Sequence, residues 1–290
     1  MQGILIINKP QGYTSQDVVS KVKKILNVKK AGHTGTLDPM ATGVLPVLIG
    51  EYTKLSKYLI EHDKTYVAKL KLGLKTDTGD LEGNVIEEKE FDKFILEKSN
   101  VENVLKSFLG KQKQIPPMYS AIKINGKKLY EYAREGIEVE VEPRDIELYK
   151  LNLLSIENDE IEFEVSCSKG TYIRVVCEDI AKTLGTIGTM SSLNRTIVDK
   201  FNISQAITFE ELESIKENID SRLIKMENVF DHLPKLTLNK RKEDLFLNGV
   251  MLTFEYQDGV YNIYDSNNIY IGTGTIKDNL LKRDIIIKGV

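Results

Sequence analysis

One carboxylate stands out by its surroundings. Asp38 lies in the stretch Ala31 to Gly43, A-G-H-T-G-T-L-D-P-M-A-T-G, directly before Pro39 and between the apolar side chains of Leu37 and Met40. Proline biases the residue before it toward extended angles, and Gly32, Gly35 and Gly43 let the chain turn sharply on either side. Such a loop can present a single acid rigidly to a ligand. Asp followed by Pro is also a common helix start, with Asp as N-cap and Pro in the first turn. His33 and the small residues nearby argue against capping alone.

Two further side chains of useful chemistry sit at element ends. Tyr66, Ala68, Leu70, Leu72 and Leu74 alternate with Val67, Lys69, Lys71, Gly73 and Lys75, the period of a half-buried strand. Tyr66 opens the apolar face, where a phenol can pack its ring and keep its hydroxyl near a polar site; an ordinary core tyrosine fits the same pattern. The segment T-D-T-G-D, Thr76 to Asp80, follows as a polar loop. A second alternating strand runs through Ile161, Phe163, Val165 and Cys167, and Ser168 to Thr171 breaks it. Val176, Ile180 and Leu184 then recur at helical spacing, which puts Arg174 at a strand-to-helix junction. An arginine there can pair with a carboxylate bidentately or lie exposed.

The elements that must position these residues are legible on either side. Gly3 to Ile7 is a wholly apolar run and reads as a buried strand. Thr14 with Asp17 resembles a capping box before a helix carrying Val18, Val19, Val22, Ile25 and Leu26. Val44 to Ile49 reads as a strand or a buried helix turn, and Lys54 to Ile60 as a short helix. Ser99 with Glu102 forms another capping-box pattern, opening a helix that Gly110 can end. In Q-I-P-P-M-Y-S-A-I-K, Gln114 to Lys123, the prolines stiffen the chain, and Asn125-Gly126 signals a hairpin. The charged stretch from there to Asp145 is either an arm over the site or a surface excursion. Strands resume at Ile146 to Leu154 and Leu193 to Val198, and Thr208 with Glu211 begins another helix. From about Pro234, short apolar runs separated by Gly249, Gly259, Gly272 and Gly274 indicate a small all-β unit, with the boundary near Leu233 to Lys235.

Composition narrows the classes. The 290 residues are 41% hydrophobic and 29% charged, enough for one large domain plus a small appendix or for two domains of ordinary size. No apolar run is long enough to span a bilayer and the N-terminus has no signal arrangement, so a cytoplasmic protein without membrane contact is expected. Cys167 and Cys177 have neither zinc nor disulfide spacing and read as buried thiols, and His33, His62 and His232 lie far apart; no metal is predicted. The phosphate-loop, dinucleotide and serine-esterase signatures are absent. A net charge of -3 does not advertise nucleic-acid binding. Lys21, Lys23, Lys24, Lys29 and Lys30 nevertheless occur with no acid between them, and Lys240, Arg241 and Lys242 form a second cluster. Each is either a local field for an anion or a solvated face.

Five motifs carry a resemblance. G-I-L-I-I-N-K-P-Q-G-Y-T-S at the start, G-H-T-G-T-L-D-P-M-A-T-G-V-L-P around Asp38, K-T-Y at Tyr66, Q-I-P-P-M-Y-S-A-I-K, and S-K-G-T-Y-I-R at Tyr172 occur in this order over roughly the first two hundred residues. Together they resemble the bacterial TruB family of tRNA pseudouridine synthases. The resemblance implies an α+β fold with a mixed, largely antiparallel sheet flanked by helices, in a catalytic domain of residues 1–233. It implies a small PUA-like RNA-binding β domain over 234–290. The implied activity is isomerisation of the T-loop uridine at position 55 of tRNA to pseudouridine, by a monomer with no cofactor and no guide RNA.

The resemblance also assigns roles. Asp38 is implied as the nucleophile toward a flipped uridine, attacking either uracil C6 or ribose C1′. Tyr66 would stack on the base and is a candidate for C5 proton removal. Arg174 would pair with Asp38 and favour its charged form. Tyr172 and Leu193 would line the base pocket, His33 would occupy space near the vacated nucleotide, and Lys9 and Asp80 would support. Where family members often carry two adjacent arginines, this chain has Leu193-Asn194-Arg195, which removes one possible phosphate contact. A non-catalytic RNA-binding or tRNA-folding protein that retains the pocket is the alternative.

Overall fold

The alternating and wholly apolar stretches come together as one nine-stranded sheet in a computed structural model, which describes residues 1–59 and 62–287. Its main path runs Gly3–Lys9, Thr42–Ile49, Gly188–Val198, Lys64–Leu72, Glu160–Cys167, Arg144–Glu157 and Gly110–Gln114. Ala31–His33 pairs with the second of these and Phe201–Asn202 with the third. Each pairing is antiparallel except one, between Thr42–Ile49 and Gly188–Val198, where Asn194 faces Thr42 and Arg195 faces Gly43. The expected α+β fold with a mixed, largely antiparallel sheet is therefore what forms.

Burial explains the two kinds of strand pattern. Leu5 and Ile7 pack with Val18, Val19 and Val22 of the helix Ser15–Ile25, while Ile4 and Ile6 pack on the other side with Leu48, Leu55 and Met226. A strand covered on both faces has no reason to alternate. Tyr66, Ala68, Leu70, Phe163 and Val165 instead share one core with the helices Lys98–Ser107 and Ile173–Thr183, and the intervening Val67, Lys69, Glu162 and Glu164 stay partly open.

The Thr14 and Thr208 capping boxes form as expected, on helices Ser15–Ile25 and Phe209–Ile215. The Ser99 box does not. Its helix begins earlier, at Lys98, behind an N-cap Glu97 with no side-chain cap. A 3-10 turn, Lys93–Leu96, capped by Asp92 leads into it, so Ser99 is already inside the helix. Val44 to Ile49 is strand rather than helix turn. The expected helix Lys54 to Ile60 is a 3-10 turn Gly50–Leu55 followed by Ser56–Leu59, and Ile60 lies outside the described residues.

The C-terminal region, whose residues 288–290 are also outside the described set, forms a five-stranded sheet ordered Lys235–Thr237, Gly259–Tyr264, Tyr270–Lys277, Leu280–Ile286 and Leu252–Thr253. It is not all β: Asn239 caps a helix, Lys240–Leu247, that carries the second basic cluster. Ile285 and Ile287 pack into the same apolar cluster as Ile4, Ile6 and Val229, which fastens this sheet to the larger one. Among the described residues, no helix is long and apolar enough to cross a membrane.

Candidate active site

The Asp38 loop is tied down almost wholly through its backbone. Pro39 follows Asp38 in a β-turn closed by the Ala41 N–H on the Asp38 carbonyl at 3.0 Å, so Asp38 starts a turn and caps no helix. Lys9, fully buried, donates from Nζ to the carbonyls of Tyr13 at 2.6 Å, Pro39 at 3.0 Å and Pro10 at 3.1 Å. Burial lowers its pKa to about 8, opposed by the negative charges of Glu82 and Asp38. Gly12 N–H adds a second bond to the Pro39 carbonyl, and Ser15 Oγ accepts from Leu37 N–H at 2.9 Å. At the far end Gly43 has φ +103°, and a Cβ there would lie 2.2 Å from the Arg195 carbonyl across the parallel pairing. Glycine is required at that position by space as well as by angle.

The acid meets its cation in an asymmetric way. Arg174, on the first turn of helix Ile173–Thr183 and 5% exposed, places Nε 3.1 Å from Asp38 Oδ2 and 3.8 Å from Asp80 Oδ2. Its Nη1 and Nη2 donate to the carbonyls of Thr78 at 2.8 Å and Tyr119 at 2.9 Å. The bidentate fork admitted from sequence is therefore not made on Asp38; the fork ends hold two loops instead. Burial raises the Asp38 pKa, and Arg174 opposes this without reversing it. One third of the Asp38 side chain stays open, but it opens into a concavity rather than onto free solvent.

That concavity is a cavity of about 700 Å³. Asp38, Tyr66, Tyr172, Arg174 and Leu193 line it together, drawn from four separated stretches of sequence. Tyr119 to Ala121 and Tyr130 line it too, so the stretch between Gln114 and Asp145 lies over the site rather than apart from it. Tyr66 is a neutral phenol at ordinary pH, because burial pushes it up to about 12 despite the nearby Arg195. Burial also raises Tyr172. Three residues named from sequence stand outside the lining. Lys9 acts on the loop from behind, Asp80 is buried behind Arg174, and His33 sits on Ala31–His33 with Nδ1 accepting from Gly35 N–H at 3.3 Å. Burial, with Arg195 nearby, lowers the His33 pKa and keeps the imidazole neutral.

Two residues carry more of the site than their sequence pattern indicated. Gln114 accepts from Tyr172 N–H at 2.8 Å and donates to the Tyr172 carbonyl at 3.1 Å, locking the backbone that presents Tyr172. Its place at the head of the Q-I-P-P motif was the one signal in the sequence. Arg195 is fully buried, with its guanidinium under the Asp38 loop, donating to the carbonyls of Val44 at 2.8 Å, Gly35 at 3.3 Å and Thr36 at 3.4 Å. Alternation along its strand gave no hint of a buried charge there.

Residues 23–173 match the N-terminal domain of TruB family pseudouridylate synthases, and residues 174–233 match the C-terminal domain of tRNA pseudouridylate synthase B. The chain belongs to the TruB family. It is 43% identical over 284 residues to tRNA pseudouridine synthase B of Clostridium kluyveri, covering 96% of both chains. It is 44% identical over 275 residues to the protein of the same name from Hydrogenovibrio crunogenus, covering 94% of this chain and 89% of that one. Among solved structures it resembles an H/ACA RNP bound to a substrate RNA containing 2′-deoxyuridine, with TM-score 0.71 at 24% identity over 99% of this chain and 85% of that one. A Cbf5-Nop10-Gar1 complex matches with TM-score 0.67 at 26% identity, covering 94% and 78%.

Proposed function

We propose that the protein is a stand-alone tRNA pseudouridine synthase, an isomerase that converts the T-loop uridine at position 55. The observation that carries this reading is Asp38: a carboxylate partly open in a cavity of about 700 Å³, with room for a nucleoside, held at 3.1 Å by Arg174 and faced by Tyr66 and Leu193. A uridine must leave its stack to be reached there, at a cost of a few kcal/mol that apolar and aromatic contacts offset. Asp38 then attacks either uracil C6 or ribose C1′. The base separates from the ribose, turns within the pocket and is rejoined through C5, and each step draws on the chain's own residues.

Tyr66 provides a face for stacking. As acceptor of the C5 proton it would have to pass on its own hydroxyl proton, since its environment keeps it neutral. Tyr172 and Leu193 bound the base, and Arg174 with Asp80 behind it orients Asp38. His33, beside the cavity rather than in it, fits a role near the space that the flipped nucleotide leaves. Lys64, Arg144 and Lys169 on the cavity lining favour a phosphate backbone despite the net charge of -3. Residues 1–233 would form the catalytic domain and 234–290 a PUA-like RNA-binding domain. The enzyme would act on the T arm as a monomer, without guide RNA, in the cytoplasm.

Incubating T-arm RNA with wild type and with Asp38→Asn, then mapping pseudouridine by chemical adducts, tests this. Product is expected from wild type alone. Equal product from both would overturn the role of Asp38, and binding without product from wild type would favour a non-catalytic RNA-binding protein.

A further inference from the structure

Arg195 occupies a singular place in the sheet. It sits opposite Tyr66 in the antiparallel pairing with Lys64–Leu72 and opposite Gly43 in the parallel pairing with Thr42–Ile49. One side chain therefore borders both the strand that carries the cavity's phenol and the loop that carries its carboxylate. Its donors go to the carbonyls of Gly35, Thr36 and Val44, and as the residue directly opposite Tyr66 in the antiparallel pair it stands on the same face of the sheet and lines the cavity with it. Among the described residues no carboxylate pairs with it. A fully buried guanidinium with neutral partners alone costs several kcal/mol of desolvation, and hydrogen bonds to carbonyls offset that only in part. Ser15, the Gly12 amide and Lys9 already tie the Leu37 to Pro39 end of the loop.

We propose that Arg195 is a positioning residue that couples Tyr66 to the Asp38 loop, fixing the two sides of the cavity relative to each other across the base. The bonds to the Gly35 and Thr36 carbonyls set the height of the loop three and two residues before Asp38. Its place opposite Tyr66 on the same face of the sheet buttresses the ring on which the base stacks. The effect of Arg195 passes through these two partners. This rests on the pseudouridine synthase reading above.

A double-mutant cycle on the full chain tests the coupling, using a tRNA transcript, single-turnover pseudouridine formation and filter binding. Arg195→Gln is expected to slow the single-turnover rate about tenfold or more in the wild-type background and less than about threefold in Tyr66→Ala, because the ring it positions is gone there. Affinity for the transcript is expected to change less than about threefold in both. Arg195→Lys, which keeps charge without the planar fork, is expected to restore only part of the rate. Equal losses in the two backgrounds, or a loss mainly in affinity, would overturn the coupling. If the Arg195 variants do not fold, amide exchange decides: Thr36 to Asp38 are expected to exchange about fivefold faster in Tyr66→Ala than in wild type. Unchanged exchange there overturns the proposal whether or not the wild type makes pseudouridine.

Discussion

Arg174 reaches Asp38 through Nε at 3.1 Å, while the two remaining nitrogens of the same guanidinium hold the carbonyls of Thr78 and Tyr119. One planar group thus ties the carboxylate to the Thr76 to Asp80 loop and to the stretch lying over the cavity. Arg174→Lys keeps the charge but cannot span three partners in a plane. We expect turnover to fall by about 10- to 100-fold, from about 1.5–3 kcal/mol of missing charge-assisted bonding, with tRNA affinity within about threefold. Single-turnover rates and filter binding check this, and equal loss in both would mark Arg174 as a phosphate contact.

The pH response of Asp38 has a definite sign. Burial raises its pKa above the ordinary 3.8 with Arg174 opposing, so the ionised, attacking form is lost as pH falls through a value above 3.8. The acid limb of the single-turnover rate is expected there. For stability, the fold favours the protonated acid, so what Asp38 contributes is complete below its unfolded pKa and is lost as pH rises through the folded one. Asp38→Asn is therefore expected to melt higher than wild type at pH 7, with the difference vanishing near pH 3. Thermal melts across that range check it; an advantage that grows on acidification would refute the sign.

The first lysine cluster divides on inspection. Lys21 stacks over the Tyr13 and Phe209 rings, and Lys30 pairs with Glu51 at 2.9 Å. Lys24 and Lys29 are exposed and Lys23 is partly so. Neutralising Lys23, Lys24 and Lys29 together is expected to reduce the slope of log affinity against log salt by about 0.7–0.9 for each phosphate that the protein no longer neutralises. Lys30→Gln is expected to leave the slope nearly unchanged. A slope unaltered by the triple change would make the cluster solvated surface only.

Gly43 is the tightest point of the loop. A methyl group there meets the Arg195 carbonyl at 2.2 Å and the Asn194 side chain at 2.4 Å, at φ +103°. Gly43→Ala is expected to cost about 2–4 kcal/mol of stability by forcing the parallel pair apart. Urea unfolding measures this, and a loss below about 0.5 kcal/mol would mean that the strands yield freely.

Much of this protein was legible in its sequence because local rules act over a few residues. Period-two alternation marked Lys64–Leu72 and Glu160–Cys167, and two of three capping boxes formed. The Asp38 loop announced itself through glycines and a proline. The Ser99 box failed because a preceding 3-10 turn carried the chain into the helix two residues early, a competition that the four-residue pattern does not contain. Only the tertiary structure decided what the charged residues do. Arg195 bonds a carbonyl 151 residues away, and carbonyls are carried by every residue, so no sequence signal marks its partners. The same holds for Lys9 on the Pro39 carbonyl and for the fork of Arg174. The pKa directions of Asp38 and Tyr66 follow from how much water the surrounding chain displaces, and that is a property of packing rather than of any residue or spacing.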